Sequence, residues 1–337
     1  MEKQIRRIGV LTSGGDAPGM NAAVRAVVRC ATSQGIECVG IRRGWSGLIN
    51  SDFIRMDTTS VSHIINKGGT MLYTARSKEF MDREGRSRAL STCKMLGLDG
   101  IVAIGGDGTF RGALALSRQA AANGMDLQVV GIPATIDNDI GCSHYTIGFD
   151  TACNTAIECI DKLRDTMQSH ERCSLVEVMG RHAGYLALTV GLAVGATAVL
   201  IPERELDFEN DVIEKIRRAR LAGTTHYMIV VAEGAGSAVE IAARIREELG
   251  LDPRVTVLGH IQRGGSPSAR DRETASRMGY EAVLSLARGR GNRVIGIHGG
   301  DTVNMDMEEA LEMRKDFPMD LYRVMESLAL IGDGIDI

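Results

Sequence analysis

Nine short, β-branched apolar runs alternate along this chain with stretches of helical pattern, and that alternation constrains the fold more than any other feature. They are IGVLTSGG from Ile8, ECVGIRRG from Glu37, GIVAIGGDG from Gly100, QVVGIP from Gln128, SLVEVMG from Ser174, ATAVLIP from Ala196, HYMIVVAEG from His226, RVTVLG from Arg254 and NRVIGI from Asn292. Between most of them lie roughly 10 to 20 residues of helical periodicity. A strand that is apolar on both faces must be covered on both, so the pattern predicts parallel strands with helices on either side, a doubly wound α/β fold. Ligands of such folds bind at the carboxyl ends of strands, where helix N-termini offer unpaired N–H groups to anions. Several runs end there in glycine-rich turns: SGGDAPGMN, IGGDGTFRG and AEGAG.

With 337 residues, 44% of them hydrophobic, the chain is long enough for one large or two medium domains. Its 43 acidic residues nearly balance 39 basic ones. No overall pull on nucleic acid follows, and aromatic residues at 4% are too few for base-stacking platforms. Of the basic residues only 7 are Lys, a bias towards the planar guanidinium that grips phosphate or carboxylate bidentately, although general Arg preference would give the same count. The 7 cysteines are scattered without a C-x-x-C pair and read as reduced thiols of a cytoplasmic protein. The apolar run Ile8 to Leu11 is too short for a secretion leader. Leu186 to Ile201 falls short of the roughly 20 residues of a membrane span and reads as a buried helix followed by a buried strand.

Three segments carry candidate chemistry. The turn Ser13 to Gly19 places two adjacent glycines and then Pro18 at the start of a helix, where backbone can approach a phosphate; a tight turn without ligand would look the same. Gly105-Gly106-Asp107-Gly108-Thr109 adds a carboxylate, which beside a phosphate makes sense chiefly if it holds Mg2+. In Thr135-Ile136-Asp137-Asn138-Asp139 the two acids at i and i+2 can share a metal or divide into a metal-side acid and a general base, or form an Asx-rich turn capping the next helix. The absence of G-x-x-x-x-G-K-[ST] and of G-x-G-x-x-G after a strand removes P-loop NTPases and ordinary nicotinamide dehydrogenases.

Further along, Met179-Gly180-Arg181 follows a strand, Glu233 ends another, and Arg254 leads into GHIQRGGSP. His260 and Arg263, three apart beside a glycine pair, suit a phosphate dianion, though a lone pair of this kind is more often a surface turn. His170 and Arg172 form a second polar cluster. H-E-x-x-H is absent, so zinc is not supported.

LTSGGDAPGMNAA, GGDGT, TIDND, EVMGR and GHIQRGGSP, in this order, resemble the bacterial-type phosphofructokinases. The resemblance implies two similar doubly wound three-layer α/β domains with the active site between them. Residues 1–140 plus about 255–310 would bind nucleotide, and about 141–254 plus 311–337 would bind the sugar phosphate. It implies ATP-dependent phosphorylation of fructose 6-phosphate at the 1-hydroxyl, a cytoplasmic homotetramer with shared active sites, and no membrane or nucleic-acid partner. By the same resemblance Gly15, Arg76, Ser77, Gly106, Asp107, Gly108 and Thr109 contact ATP, and Asp107 and Asp139 serve Mg2+. Asp137 is the base, flanked by Thr135. Arg76 and Arg181 meet the transferring phosphoryl group. Arg172, Arg254, His260 and Arg263 hold the sugar 6-phosphate, the first two from a neighbouring subunit, and Met179, Gly180 and Glu233 orient the sugar.

Some positions depart from the family pattern. Pyrophosphate users of the family carry Asp where this chain has Gly108 and Lys where it has Ala134, so Gly108 favours ATP, while Ala134 stands where ATP users commonly have Gly. Arg25, Arg29 and Arg164 match part of a basic effector pocket, but Thr58 and the stretch Ala222 to Thr225 lack its cations, which implies weak phosphate effectors. The alternatives are a pyrophosphate donor, a related sugar phosphate as acceptor, or a non-catalytic regulatory subunit; the last would be expected to lack Asp107 or Asp137.

Overall fold

The computed structural model describes residues 5–329; the tail 331–337 lies outside them. The elements run β1 (Arg7–Thr12), α1 (Met20–Ser33), β2 (Glu37–Ile41), α2 (Gly44–Asn50), β3 (Phe53–Met56), α3 (Arg83–Leu96), β4 (Gly100–Gly105), α4 (Asp107–Ala122), β5 (Gln128–Pro133), α5 (Phe149–Ser169), β6 (Cys173–Val178), α6 (Tyr185–Ala193), β7 (Ala198–Leu200), α7 (Glu214–Leu221), β8 (Tyr227–Ala232), α8 (Ala238–Leu249), β9 (Arg254–Val257), α9 (Ala269–Ala287), β10 (Arg293–His298), β11 (Asp301–Asp306), α10 (Met307–Glu312) and α11 (Met319–Ala329). Each of the nine apolar runs is a strand. The long apolar stretch divides into α6 and β7, both buried.

The chain forms two compact units, Met1–Thr151 with Arg263–Lys315, and Ala152–Gln262 with Asp316–Ile337. These crossings fall later than the expected 140, 255 and 310. Residues past 140 stay with the first unit because Ile140 and Cys142 lie in its core and the Ser143 hydroxyl takes a hydrogen bond from the Ile297 amide at 2.9 Å. Residues past 254 stay with the second because β9 is hydrogen-bonded along β6.

In the first unit the sheet order is β11-β10-β5-β4-β1-β2-β3. The inner strands run parallel, and β3 and β11 pair antiparallel at the two edges. Leu11, Ile41, Ile101, Ala103 and Val129 on one face of the sheet pack against Leu48 of α2, Cys93 of α3, Phe110 and Leu116 of α4 and Met307 of α10. On the other side α1 lies against α9. Their approach is so close that a Cβ on Gly279 would stand 2.7 Å from Ala26 Cβ, which leaves only glycine for that place.

The chain winds outward from β1 to one edge and from β4 to the other, so the topological switch point lies between β1 and β4. The start of α5 is fixed to α9 by Asp271. This fully buried carboxylate accepts hydrogen bonds from Tyr145 Oη (2.6 Å), the Gly148 amide (2.6 Å) and both the amide (2.9 Å) and hydroxyl of Thr151. Burial raises its pKa in spite of these donors.

The second unit has a parallel sheet ordered β7-β8-β6-β9. Cys173 and Leu175 of β6 and Tyr227, Ile229 and Val231 of β8 pack under α8 and the segment from Phe208 to Ala219. The alternate residues Val176, Val178, Val230 and Ala232 are equally buried, as strands covered on both faces require.

Candidate active site

In the first unit three loops meet at the switch point. The Ser13 amide donates to Ile104 O (3.0 Å) and the Ala134 amide to Gly105 O (3.0 Å), so the chain leaves β1, β4 and β5 side by side. The Thr109 hydroxyl, on the first turn of α4, donates to Ser13 O at 3.1 Å and ties the first loop to the second. Thr74 holds the outer side of the first loop through Gly14 O at 2.7 Å.

A cleft of about 380 Å³ opens over these loops, lined by Gly14, Gly15, Arg76, Ser77, Gly106, Gly108, Thr109, Thr135, Asp137 and Arg263. A Cβ on Gly15 would lie 2.1 Å from Arg263 Nη1, so glycine is required for the guanidinium to lie across that loop. Arg263 thus sits against the β1 turn, 3.4 Å from Asp16 O. Around Gly108 a Cβ would meet nothing within 4 Å; the space beside it is open.

The inner wall of the cleft is aromatic. Trp45 stacks on Phe80 (centroids 4.7 Å, planes 10° apart), and both line the cleft with Met81 and Gly112. Trp45 is 4% exposed, and its Nε1 has no partner among the described residues. By the family resemblance Trp45, in Arg-Gly-Trp-Ser-Gly, stands where members often have Tyr near the nucleotide, and packing explains an aromatic there equally well. Nothing in the local sequence ties it to Phe80, because that contact exists only once the chain is folded.

Asp107 and Asp139 feel each other. Burial, then the charge of Asp139, raises the Asp107 carboxyl above the usual range, and Arg111 partly offsets both. Two carboxylates that repel one another are a donor set suited to Mg2+, which commonly takes one or two protein carboxylates and completes its shell with water and phosphate oxygens. Among the described residues no group of three His, Cys, Asp or Glu side chains could hold a metal alone, so phosphate and water would supply the other ligands. Asn138 between the acids has φ 52°, a left-handed turn that lets Asp137 line the cleft while Asp139 stays exposed beside Asp107.

In the second unit Met179, Gly180 and Arg181 leave β6, Glu233 leaves β8 and His260 follows β9, all at the carboxyl ends of their strands. The Glu233 amide donates to Val178 O (2.9 Å), the Gly234 amide to Gly180 O (3.2 Å) and the Met179 amide to the buried Gln262 side chain (2.9 Å). Gly180 has φ 133°, and a Cβ on Gly234 would meet Arg181 O at 2.0 Å, so both glycines are needed where these turns cross.

Arg172 and Arg254 stand at the opposite, amino end of the same sheet, just before β6 and at the start of β9. There Arg254 pairs with Asp252 at 3.1 Å, whose carboxyl is held below the usual range by Arg246 first, then by Arg254, with a smaller effect of Arg172. The length of β6 therefore separates the expected sugar-phosphate residues of this unit into two groups. Arg25 and Arg29 lie on α1; Arg164, on α5, donates to Val194 O.

Fold and cleft are those of a doubly wound α/β protein with its ligand site at the carboxyl ends of the strands. A phosphofructokinase of Saccharomyces cerevisiae superposes with TM-score 0.89 at 34% identity over 96% of this chain, which spans 50% of the yeast chain. A pyrophosphate-dependent phosphofructokinase of Marinobacter aquaeolei, at 22% identity, shares the fold with TM-score 0.84 over 98% of this chain and 93% of its own. The phosphofructokinase family model matches residues 7–286, and the chain belongs to that family. Relatives called ATP-dependent 6-phosphofructokinase are 50% identical in Clostridium botulinum (strain Loch Maree), over 96% of this chain and 100% of the relative, and 51% identical in Bacillus pumilus, over 97% and 100%. Cys30, Cys38, Cys93, Cys142, Cys159 and Cys173 form no disulfide among the described residues, and no helix among them is long and apolar enough to cross a membrane.

Proposed function

We propose that this protein transfers the terminal phosphoryl group of ATP to the 1-hydroxyl of fructose 6-phosphate, the committing step of glycolysis. The observation that carries the reading is the convergence of three strand-end loops on one cleft, with Asp137 in its lining and Asp107 between the lining residues Gly106 and Gly108. The near full-length relatives named as ATP-dependent enzymes support it.

Gly15, Gly106, Gly108, Thr109 and Ser77 accommodate the nucleotide phosphates, with backbone amides at the start of α4 facing the anion. Asp107 and Asp139 hold Mg2+, which when bound neutralises charge on the phosphates. Asp137, flanked by Thr135, accepts the proton of the attacking hydroxyl. Phosphoryl transfer passes through a loose transition state in which positioning and cations dominate, and Arg76 and Arg181 supply the cations. Met179, Gly180 and Glu233 orient the sugar, and His260 and Arg263 take its 6-phosphate.

Arg172 and Arg254 are at the amino end of their own sheet and serve the 6-phosphate of a neighbouring subunit in a homotetramer. In this reading the first unit binds nucleotide and the second binds the sugar, with Arg263 reaching the 6-phosphate from the first unit. Effector control by nucleotide or phosphoenolpyruvate is weak, because Thr58 and Ala222 to Thr225 bring no cations to join Arg25, Arg29 and Arg164.

The open space beside Gly108 favours ATP as donor, since a larger acidic side chain there would fill it. A coupled assay with fructose 6-phosphate, run once with ATP and once with pyrophosphate, tests the reading. Turnover with ATP at least about tenfold faster is expected; preference for pyrophosphate overturns the donor, and no turnover with either overturns the enzyme in favour of a regulatory subunit.

A further inference from the structure

The turn that carries the catalytic acids is held from a distant part of the sequence. Lys315 Nζ donates to Asn138 O at 2.7 Å and to His144 O at 3.2 Å, across 177 and 171 residues of chain. Asn138 is itself buried. Its side-chain Nδ2 donates to His144 O (3.4 Å), and its Oδ1 accepts from Thr146 Oγ1 (3.3 Å), whose hydroxyl is shared with Thr135 O at 2.6 Å.

The backbone before Lys315 is pressed against the same loop. A Cβ on Gly141 would stand 2.3 Å from Met313 O, so the segment cannot shift outward without opening that contact. Burial lowers the Lys315 ammonium to about 8 while the charge of Asp139 opposes the shift, which places this cation next to the acid that faces Asp107.

We infer that Lys315 is a positioning residue for phosphoryl transfer: by tying the carbonyls of Asn138 and His144 together it fixes the left-handed turn that presents Asp137 to the cleft and Asp139 to Asp107. A half-buried ammonium bonded to two main-chain carbonyls of one loop acts as a cross-brace, and charge-assisted bonds of this kind are about twice as strong as neutral ones. The loop has no regular secondary structure of its own between β5 and α5, so its geometry depends on such braces. Misplacing a reacting group by about 1 Å costs up to about 10²-fold in rate, and the loss falls on the transition state rather than on ground-state binding.

The inference rests on Asp137 being the proton acceptor, and the unmodified enzyme in the ATP-coupled assay tests that reading separately. Lys315→Met and Lys315→Arg are compared with it in the same assay and by thermal melting. Lys315→Met is expected to lower kcat about tenfold or more, with KM for fructose 6-phosphate within about twofold, and Lys315→Arg to recover at least about a third of the parental kcat. A kcat for Lys315→Met within about twofold of the parent, or an Arg variant no faster than the Met variant, overturns the proposal. Should Lys315→Met lose its cooperative melt, Lys315→Gln, which offers the two carbonyls only a shorter, uncharged donor, is measured in its place. The same selective loss of kcat supports the proposal, and unchanged kcat overturns it.

Discussion

Replacing Asp137 by Asn keeps the shape of the side chain and removes its capacity to take a proton. General-base catalysis is worth about 10² to 10⁴-fold, so Asp137→Asn is expected to lower kcat by that factor with KM for the sugar changed far less; steady-state kinetics checks both constants. Asp139→Asn acts on a neighbour. With that negative charge gone, Asp107 loses the repulsion that raises it and gives up its proton at lower pH, although burial still holds it above the ordinary range. As pH falls, the native protein therefore protonates Asp107 before the variant does. A carboxyl-carbon NMR titration of the two proteins is expected to show the Asp107 transition displaced downward in the variant. The pair Asp137 and Asp139 stands out in sequence because i and i+2 spacing inside a strand-to-helix turn is a local signal, which an Asx-rich capping turn would share; their roles rest on the family resemblance. Lys315 does not stand out, since its contact with Asn138 spans 177 residues and MRKDF carries no motif.

Among the elements, the nine apolar strands were legible because burial on both faces writes itself into an unbroken β-branched run. Two strands were not. β3 and β11 are antiparallel edges with part of their surface in water, and DTVNMD in β11 alternates polar and apolar too weakly to separate it from a turn. The joint between α5 and α9 also escaped sequence reading, because Asp271 looks like an ordinary acid in the first turn of a helix. It serves four donors at once. Asp271→Ala leaves those donors buried without an acceptor at a cost of about 1–3 kcal/mol each, moderated as the site relaxes or admits water, so a net loss of about 3 kcal/mol is expected in denaturant unfolding. A midpoint unchanged from the parent would mean that water replaces the carboxylate fully.

On the scale of the whole molecule, the two ends of the β6–β9 pair serve different sites if Arg254 acts on a neighbouring subunit. Asp137→Asn and Arg254→Ser variants, each nearly inactive alone, are then expected to regain activity when dissociated together and reassembled. Random mixing gives about a quarter of the sites both intact contributions, and rate per milligram measures the recovery. Mixtures no more active than their components would place Arg254 at its own subunit's site. The number of domains was legible only through family resemblance. The crossings at Thr151, Gln262 and Lys315 fall inside or beside regular elements, where composition leaves no mark.

These crossings also set an order of events during synthesis. The sheet that begins first, with β1 at residue 7, lacks β10 and β11 until the chain has been made through Asp306, whereas the sheet of the second unit has its last strand by Val257. A ribosome halted near residue 290 would therefore hold a finished smaller sheet and a larger one whose Val129, Val130 and Ile132 stand at an open edge, where chaperone capture or aggregation begins. The sheet that starts the chain is the one that waits longest for its last strand.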